Sequence, residues 1–441
     1  MRYISETPKF TGGRNKSGND NLSKVLDILG NPHRKIKCIH VAGTNGKGST
    51  VQMIKCLLTE CGFSVGTFTS PHLVRINERI ALCEKTEEGF SENMISDEDF
   101  VNCFDLVKRA VEESEKTEGL PLSYFEFLFT LAAVYFADAC EKTPDYVVWE
   151  TGLGGRLDAT NLVAPEVCVI TQIGIDHTKY LGETIKEIAF EKAGILKENT
   201  PVVFLTGSAE ADSVIEERAR ELSCPMFGGE SMKREILSVG ENSMEFSLVG
   251  GSESYGPLSL SNQAAPYQAD NCCAAVMAVN LILKNGERLT GERINGALSR
   301  FSFAGRMERL GAHLVLDGAH NLHGIKRFCE AVKGCYRDKG VRLLFGVACD
   351  KNYEEMIGLL SEELEIKCCY VTELNGDRAL SAPFAAALFR SHGVSVYESE
   401  SIEDCLEKGY GDALRSDDIL FCVGSLYLIG SIKELIRNDK F

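Results

Sequence analysis

The sequence lacks the patterns that mark membrane, secreted and zinc-binding proteins. It contains no run of about 18 or more apolar residues, and its N-terminal stretch MRYISETPKFTGGRNKSGND has no apolar core of the kind found in signal peptides. No CxxC pair, which is typical of structural zinc, occurs among its 17 cysteines, and their odd number does not suit a disulfide framework. We therefore expect a cytoplasmic protein whose cysteines are reduced and buried.

Positive charge is also scarce, with 47 Lys and Arg against 64 Asp and Glu and a net charge of −17. A field of this sign repels the phosphates of nucleic acids and of anionic membranes, so neither is expected as a partner. If the substrates are anions, the positive charge that binds them must be local. Individual lysines and arginines near glycine-rich loops are therefore the candidates.

The order of apolar and amphipathic segments predicts an α/β protein of two domains, because 441 residues exceed what one core usually serves. From KCIHVAG onward strands alternate with helices, which predicts a mainly parallel sheet covered on both faces. After Gly207, runs such as REILSVGENSMEFSLVG predict a small antiparallel insertion. A second series, carried by HLVLDGAHN, VRLLFGVACD, KCCYVTEL and DILFCVGS, predicts a smaller Rossmann-like unit. We place the domains at residues 1–302 and 303–441.

The segment HVAGTNGKGST predicts a phosphate-binding loop between a strand and a helix. Its glycines let the backbone wrap a phosphate, the helix N-terminus points N–H groups at it, and Lys47 adds a full positive charge. The motif departs from the usual P-loop, because only Thr44 and Asn45 separate its first glycine from the Gly-Lys pair and Gly48 stands where a Ser or Thr is common. A tight turn with a solvated lysine is the alternative.

Polar residues end the neighbouring predicted strands. Glu150 closes the strand DYVVWE, and Asp176 and His177 follow the strand VCVITQIG. Carboxyl ends of parallel strands meet at one edge of a sheet, where ligands bind, and Mg²⁺ is suited by one or two carboxylates together with phosphate and water oxygens. An ordinary strand-end charge at Glu150 and a structural His177 are the alternatives.

Nine blocks are spread across nearly the whole chain: LGNPH, HVAGTNGKGST, TSPHLVRINERI, YFEFLFTLAA, ETGLGGRLDATN, ITQIGIDHTKYLG, EKAGILK, FAGRMERL and LDGAHN. Together they resemble the folylpolyglutamate synthase and dihydrofolate synthase family of Mur ligases. The GKGS form of the phosphate loop is similar to that of the folate branch. The resemblance implies an ATP-binding domain, a smaller C-terminal glutamate ligase domain and an active site in the cleft between them.

The resemblance implies that L-glutamate is joined by an amide bond to the γ-carboxyl of a reduced folate's glutamate tail, through an acyl phosphate made with ATP. Dihydropteroate is expected as a second acceptor. Two Mg²⁺ ions, a carbamylated Lys192 and a monovalent cation such as K⁺ are implied as cofactors. A cell-wall Mur-type ligase acting on a UDP-linked substrate, or a P-loop NTPase without ligase activity, is the alternative, and a monomer is expected.

The resemblance also assigns roles by position. Catalysis falls to Lys47, Lys192, Asp317 and His320. ATP is held by Gly43, Thr44, Asn45, Gly46, Lys47, Gly48, Ser49, Thr50, Gln268, Asn271, Arg306 and Asp317. Metal ligands are Ser49, Ser70, Glu150 and His177. The acceptor contacts Pro71, His72, Arg79, Ser123, Tyr124 and Phe125.

Two of these positions have a competing interpretation, and one neighbouring position departs from the family pattern. Lys192 fits an ordinary lysine near a helix C-terminus, and Asp317 fits a helix N-cap. In APYQADN, Gln268 and Asn271 match the family pattern, but Tyr267 stands where the family has histidine. Phe127 and Phe129 are expected in the core.

Overall fold

The computed structural model describes residues 19–87, 89–116, 121–251, 253–261, 263–283, 287–376 and 378–438. The stretch that argues against a signal peptide lies almost wholly outside these ranges. No helix within them is long and apolar enough to cross a membrane. All 17 cysteines are described, all have free thiols, and 13 of them are buried.

The first part of the chain forms a large sheet with eight described strands, which confirms the predicted mainly parallel sheet. Its order is β4-β3-β2-β5-β1-β6-β7-β8, with β3 and β4 antiparallel at one edge and the other pairs parallel. The strands are β1 Cys38–Ala42, β2 Val65–Phe68, β3 Ile80–Thr86, β4 Gly89–Met94, β5 Tyr146–Glu150, β6 Val167–Ile170, β7 Val202–Phe204 and β8 Met226–Phe227.

Helices cover both faces of this sheet, so its central strands β1, β5 and β6 are buried along their whole length. Helices α2 and α8 pack on one face, and α1, α3 and α4 on the other. The helices are α1 Asp20–Ile28, α2 Lys47–Glu60, α3 Asp97–Glu115, α4 Tyr124–Val134, α5 Thr178–Leu181, α6 Ile185–Ala193, α7 Ala209–Glu221, α8 Tyr267–Ile282 and α9 Gly291–Ser299. Phe127 and Phe129, which belong to α4, are buried in the core, as predicted.

The sequence pattern missed several elements of this part. Strands β3 and β4 follow the TSPHL segment, and α7 and β8 extend the parallel series beyond Gly207, before the antiparallel insertion begins. That insertion is present as β9 Lys233–Val239, β10 Ser243–Gly250 and β11 Glu253–Ser261. Its inward residues Met244, Phe246 and Leu248 join the core beside α8, so the predicted alternation is confirmed.

The C-terminal part, residues 303–438, has its own sheet of order β12-β13-β17-β14-β15-β16. All of its pairs are parallel except β12 with β13. Its strands are β12 Glu308–Arg309, β13 Leu314–Leu316, β14 Val341–Phe345, β15 Ile366–Val371, β16 Val396–Glu398 and β17 Ile419–Val423. Its helices are α10 Leu322–Cys335, α11 Tyr353–Glu363, α12 Ala382–Ser391, α13 Ile402–Ser416 and α14 Leu426–Arg437. The smaller α/β unit is therefore confirmed, while the division at residue 303 stays a prediction.

Candidate active site

A cleft of about 880 Å³ lies between the carboxyl edge of the large sheet and the loops of the C-terminal sheet. Strands β5, β1 and β6 are neighbours, so the residues that follow them converge on this cleft, as the strand-end argument predicts. Every predicted site residue lines it except Thr50 and Gln268, which are fully buried. One cavity therefore brings together residues that are far apart in the chain.

The phosphate loop, residues 43–50, is fixed to the end of β6. The backbone amides of Thr44 and Asn45 both donate to the Gln172 carbonyl, at 2.8 and 3.2 Å, and the Thr171 hydroxyl donates to the Asn45 carbonyl at 2.8 Å. Gly46 has φ of +85°, a conformation that glycine tolerates best, and a Cβ there would collide with Asn271. Helix α2 begins directly after it, so its N-terminal amides face the cleft beside Lys47.

Packing explains why Gly48 departs from the usual motif. A Cβ at Gly48 would lie 2.5 Å from two ring carbons of Phe303, in the segment that leads into the C-terminal part. Phe303 is held by Gln263, whose side chain accepts from its N–H at 2.8 Å and donates to its carbonyl at 2.5 Å. A larger residue at position 48 therefore competes with the aromatic ring for the same space.

The Glu150 carboxylate is the most deeply placed acidic group of the predicted metal site, with 3% of its surface exposed. Burial raises its pKa, and Lys47, the Ser70 amide and nearby arginines only partly offset this. The Ser70 amide donates to Oε2 of Glu150 at 3.0 Å, which places the TSPHL segment against this carboxylate. A divalent cation would compensate the buried negative charge.

Glu150 and His177 are the two predicted metal ligands with a carboxylate or an imidazole, and both line the cleft. Within the described ranges, no three His, Cys, Asp or Glu side chains are grouped closely enough to hold a metal ion. The His177 side chain is about half exposed, and burial of the ring lowers its pKa, which favours the neutral imidazole that binds metals. The set suits Mg²⁺, which keeps water and phosphate oxygens among its ligands.

Lys192 is not a solvated lysine at a helix end. Its side chain is buried at the end of α6, and Nζ donates to the Gly43 carbonyl of the phosphate loop at 2.8 Å. Burial, followed by repulsion from Lys47, lowers the pKa of Lys192 to about 7. A large fraction of its amine is therefore neutral and nucleophilic near neutral pH.

Asp176 joins the two sides of the cleft. Its carboxylate accepts from Lys351 Nζ and from Asn321 Nδ2, each at 2.8 Å, and lies 3.9 Å from His320 Nε2. Although burial opposes ionisation, His177, Lys351 and His320 hold the pKa of Asp176 well below its usual range. The motifs did not identify Lys351, but its position just beyond the strand VRLLF was a usable signal.

His320 presents a defined nitrogen to the cleft. Nδ1 lies 2.8 Å from the Gly318 carbonyl, and because a carbonyl only accepts, Nδ1 carries the proton and Nε2 has the free lone pair. Burial lowers the pKa of His320 to about 4. Its imidazole is therefore neutral at physiological pH.

Asp317 connects three segments of the chain through hydrogen bonds and does not cap a helix. Its carboxylate accepts from the amides of Met307 and Ala319, at 2.8 and 2.9 Å, and from the Tyr267 hydroxyl at 3.3 Å. The N-cap of α10 is Asn321, whose Oδ1 accepts from the Gly324 amide. Arg306 lines the cleft close to Asp317, whose pKa is raised by burial. The N-cap interpretation of Asp317 is therefore wrong.

The predicted acceptor residues form the wall of the cleft next to Glu150. Arg79 is buried, donates from Nε to His72 Nδ1 at 2.9 Å, and lies over the Tyr124 ring at 5.6 Å. Ser123 caps α4 in a capping box with Glu126, which places Tyr124 and Phe125 in the first turn. Pro71 also lines this wall, which combines one guanidinium with aromatic faces.

Comparison with known proteins gives matches to the same kind of ligase from a family model and from a relative. The model of the Mur ligase glutamate ligase domain matches residues 305–426. The dihydrofolate synthase/folylpolyglutamate synthase of Bacillus subtilis is 34% identical over 429 residues, covering 96% of this chain and 95% of the relative.

Solved structures agree with the sequence matches. The folylpolyglutamate synthase of Thermotoga maritima has a TM-score of 0.82 and 30% identity, covering 99% of this chain and 95% of the other. The Mycobacterium tuberculosis folylpolyglutamate synthase complexed with ADP and AMPPCP has a TM-score of 0.83 and 26% identity, covering 98% of this chain and 96% of the other. Because a relative 34% identical to this protein matches it over almost the whole length of both chains, this protein belongs to the dihydrofolate synthase/folylpolyglutamate synthase family of the Mur ligases.

Proposed function

We propose that this protein uses ATP to join L-glutamate by an amide bond to the γ-carboxyl of a reduced folate's glutamate tail, and also to dihydropteroate. The observation that carries the proposal is the single cleft in which the phosphate loop faces Lys351 and His320 of the C-terminal part. Such a ligase must bring ATP, a carboxylate acceptor and an amine into one space, and a cleft that combines the phosphate loop, the wall of Arg79 and Tyr124, and Lys351 supports this proposal.

The activation step transfers the γ-phosphoryl of ATP to the acceptor carboxylate. Two anions approach each other in this step, so positioning and positive charge supply most of the catalysis. Lys47 and the α2 amides would hold the ATP phosphates, and Arg306 would approach them from the opposite side. Arg79 would bind the acceptor against Tyr124 and so keep its carboxylate near the phosphate loop.

In the ligation step the glutamate amine attacks the acyl carbon, and phosphate leaves as the amide forms. Lys351, which in the present structure pairs with Asp176, would bind a carboxylate of the incoming glutamate. The Nε2 lone pair of His320 faces the same region and would accept a proton from the amine, a role that its neutral form permits. Both steps then take place within one closed cleft.

The residues present fit Mg²⁺, because Glu150 is a buried carboxylate next to cationic groups and His177 favours the neutral form. Glu150, His177 and the hydroxyls of Ser70 and Ser49 would hold it, and it would neutralise charge on the transferred phosphoryl group. Lys192, as a buried amine of low pKa, would form a carbamate with CO₂ and lose its positive charge beside Lys47. A second Mg²⁺, a monovalent cation, a monomeric state and the absence of nucleic acid or membrane partners stay predictions.

The experiment is release of phosphate from ATP by the purified protein with Mg²⁺ and L-glutamate, run with tetrahydrofolate monoglutamate, with dihydropteroate and with no acceptor. We expect release with each acceptor, with mass spectrometry showing one added glutamate. Release with the folate alone would limit the function to polyglutamylation. Equal release without an acceptor, and no glutamylated product, would contradict the ligase function and favour an NTPase.

A further inference from the structure

A buried chain of three side chains links β1 to the loop that follows β5. The His40 ring, on β1, lies with Nε2 2.7 Å from the Thr160 hydroxyl, and that hydroxyl lies 2.5 Å from Oδ1 of Asp158. His40 and Thr160 are fully buried, and Asp158 is 6% exposed. Of the three, only Asp158 lines the cleft among the described residues.

The direction of these hydrogen bonds follows from the chemistry of the groups. Asp158 accepts from the Gly152 and Leu153 amides through Oδ2, and from the Thr160 amide and hydroxyl through Oδ1. Burial raises the pKa of Asp158, but these hydrogen bonds oppose that rise and favour the ionised form. Three of the donors are backbone amides, and an ionised carboxylate only accepts, so the Thr160 hydroxyl donates its proton to Asp158. Its oxygen must then accept from His40, so His40 is the neutral tautomer with its proton on Nε2.

The surroundings of the second ring nitrogen of His40 agree with a proton on Nε2. Nδ1 of His40 has no hydrogen-bond partner among the described residues, as expected for a lone pair in an apolar interior rather than a buried N–H. Burial lowers the pKa of His40 to about 3, so the ring stays neutral across the working pH range. His40 therefore supports the network as a neutral hydrogen-bond donor and does not titrate in that range.

This network holds the backbone of residues 151–158, called the acceptor loop here. Both amides that Asp158 binds through Oδ2 belong to this loop, each at 2.9 Å. Gly152 lies so close to Phe125 that a Cβ there would be 2.6 Å from its ring. The position of Gly152 thus helps to set the acceptor wall of the cleft.

We propose that His40 is a positioning residue for the acceptor substrate, acting through Thr160 and Asp158 on the acceptor loop. The identity of the substrate rests on the proposed function, whereas the effect of His40 on the backbone of the acceptor loop does not. The phosphate loop has its own anchors at Gln172 and Thr171, so loss of the network changes acceptor binding and leaves ATP binding unchanged.

The first test needs no activity. In Thr160→Val, which keeps the shape and removes the hydroxyl, we expect hydrogen exchange in peptides covering residues 150–158 to be roughly 10- to 100-fold faster, the range for a hydrogen bond to a charged group. Peptides covering residues 43–50 should be unchanged, and Thr160→Ser should match the wild type. Unchanged exchange in the acceptor loop, or equal acceleration in both loops, overturns the proposal.

A double-mutant cycle tests whether His40 acts through Thr160. His40→Leu should accelerate exchange in the acceptor loop of the wild type but add little in the Thr160→Val background. His40→Gln, which retains an N–H donor, should recover part of the protection and also serves if His40→Leu does not fold. An undiminished effect of His40→Leu in the Thr160→Val background overturns the proposal.

The kinetic test uses tetrahydrofolate monoglutamate as the acceptor. Thr160→Val should raise the KM for this acceptor about tenfold while the KM for ATP stays within about twofold. A parallel rise in both constants would show a general structural role and overturn the proposal. If the wild type forms no glutamylated product, the proposed function fails, and the exchange results still decide the role of His40.

Discussion

Replacement of Gly48 by alanine tests the packing that distinguishes this phosphate loop. The new methyl carbon would lie 2.5 Å from Cε1 and Cζ of Phe303, whereas carbon atoms in favourable contact are about 3.5–4.0 Å apart. The ring would have to move by roughly 1 Å. It cannot do so freely, because both backbone polar groups of Phe303 are bonded to Gln263, and Gln263 also donates to the Arg306 carbonyl.

Two opposing energies decide the effect on stability. Insertion of a methyl group into a packed contact costs about 1–3 kcal/mol. Alanine in a helix is favoured over glycine by at most about 1 kcal/mol. Because residue 48 lies in the first turn of α2, much of that gain is absent there. Because little of the helix gain offsets the packing cost, we expect a net loss of about 1–3 kcal/mol in the free energy of unfolding.

The effect on catalysis should be larger, because a displacement of about 1 Å near the reacting groups costs up to about 100-fold in rate. We expect kcat/KM for ATP to fall by about 10- to 100-fold in the phosphate-release assay. Phe303→Ala is the matched control. In the double variant the methyl group has room, so Phe303→Ala should cost less stability in the Gly48→Ala background than in the wild type.

The result that would refute this reasoning is specific. If Gly48→Ala is as stable and as active as the wild type, the contact with Phe303 does not constrain the loop. If Phe303→Ala costs the same in both backgrounds, the two residues are energetically independent. In either case another cause must be sought for the glycine at position 48.

Three further perturbations follow from the same geometry. Asp176→Asn keeps the size of the side chain but removes the charge that pairs with Lys351 at 2.8 Å. Because this pair fixes Lys351 in the cleft, we expect kcat/KM for glutamate to fall about 5- to 30-fold and the exposed thiol of Cys349, two positions before Lys351, to be alkylated faster. An unchanged alkylation rate would contradict this expectation. Lys192 has a pKa of about 7, so its amine becomes increasingly protonated as the pH falls below 7. Added bicarbonate should therefore raise the activity of the wild type more at pH 6 than at pH 8, and it should not raise the activity of Lys192→Arg. An equal effect of bicarbonate on the two proteins, or at the two pH values, would argue against a carbamate. Arg79→Lys keeps the charge but loses the bond to His72, so the KM for the acceptor should rise about three- to tenfold while the KM for ATP is unchanged, and a matching rise for ATP would refute this assignment.

The sequence predicted the elements whose signal is local. The phosphate loop, the carboxylate at the end of β5 and the parallel series depend on residues close together in the chain, and the structure contains all three. The edge strands β3 and β4 were missed because their apolar alternation is weak, and β4 is largely exposed. Helix α7 was missed because we placed the start of the antiparallel insertion directly after Gly207.

Contacts between distant segments could not be predicted in the same way. The pair of Asp176 and Lys351 joins residues 175 positions apart, and the contact between Gly48 and Phe303 depends on how the C-terminal part sits against the phosphate loop. His40 lies in the block HVAGTNGKGST, and Asp158 and Thr160 lie in ETGLGGRLDATN, but nothing in the sequence showed that these side chains contact one another. These features require the three-dimensional arrangement.

The two sides of the contact between the first part of the chain and the C-terminal part differ in kind. Near the start of α8, Ala265 is buried in the core of the C-terminal part and Tyr267 packs against it, so apolar surface joins the two parts there. Across the cleft, Asp176 makes polar contacts with Lys351 and Asn321, and Asn45 makes one with His323 at 2.9 Å. Leu73 adds an apolar contact with the core of the C-terminal part.

The difference between polar and apolar contacts decides which of them substrate oxygens can affect. Apolar contacts of the kind made by Ala265 cannot be exchanged for ligand oxygens, whereas each polar contact across the cleft is of a type that phosphate or carboxylate oxygens also make. Phosphate and carboxylate oxygens of the substrates can therefore join these polar contacts without displacing the apolar contact at the start of α8.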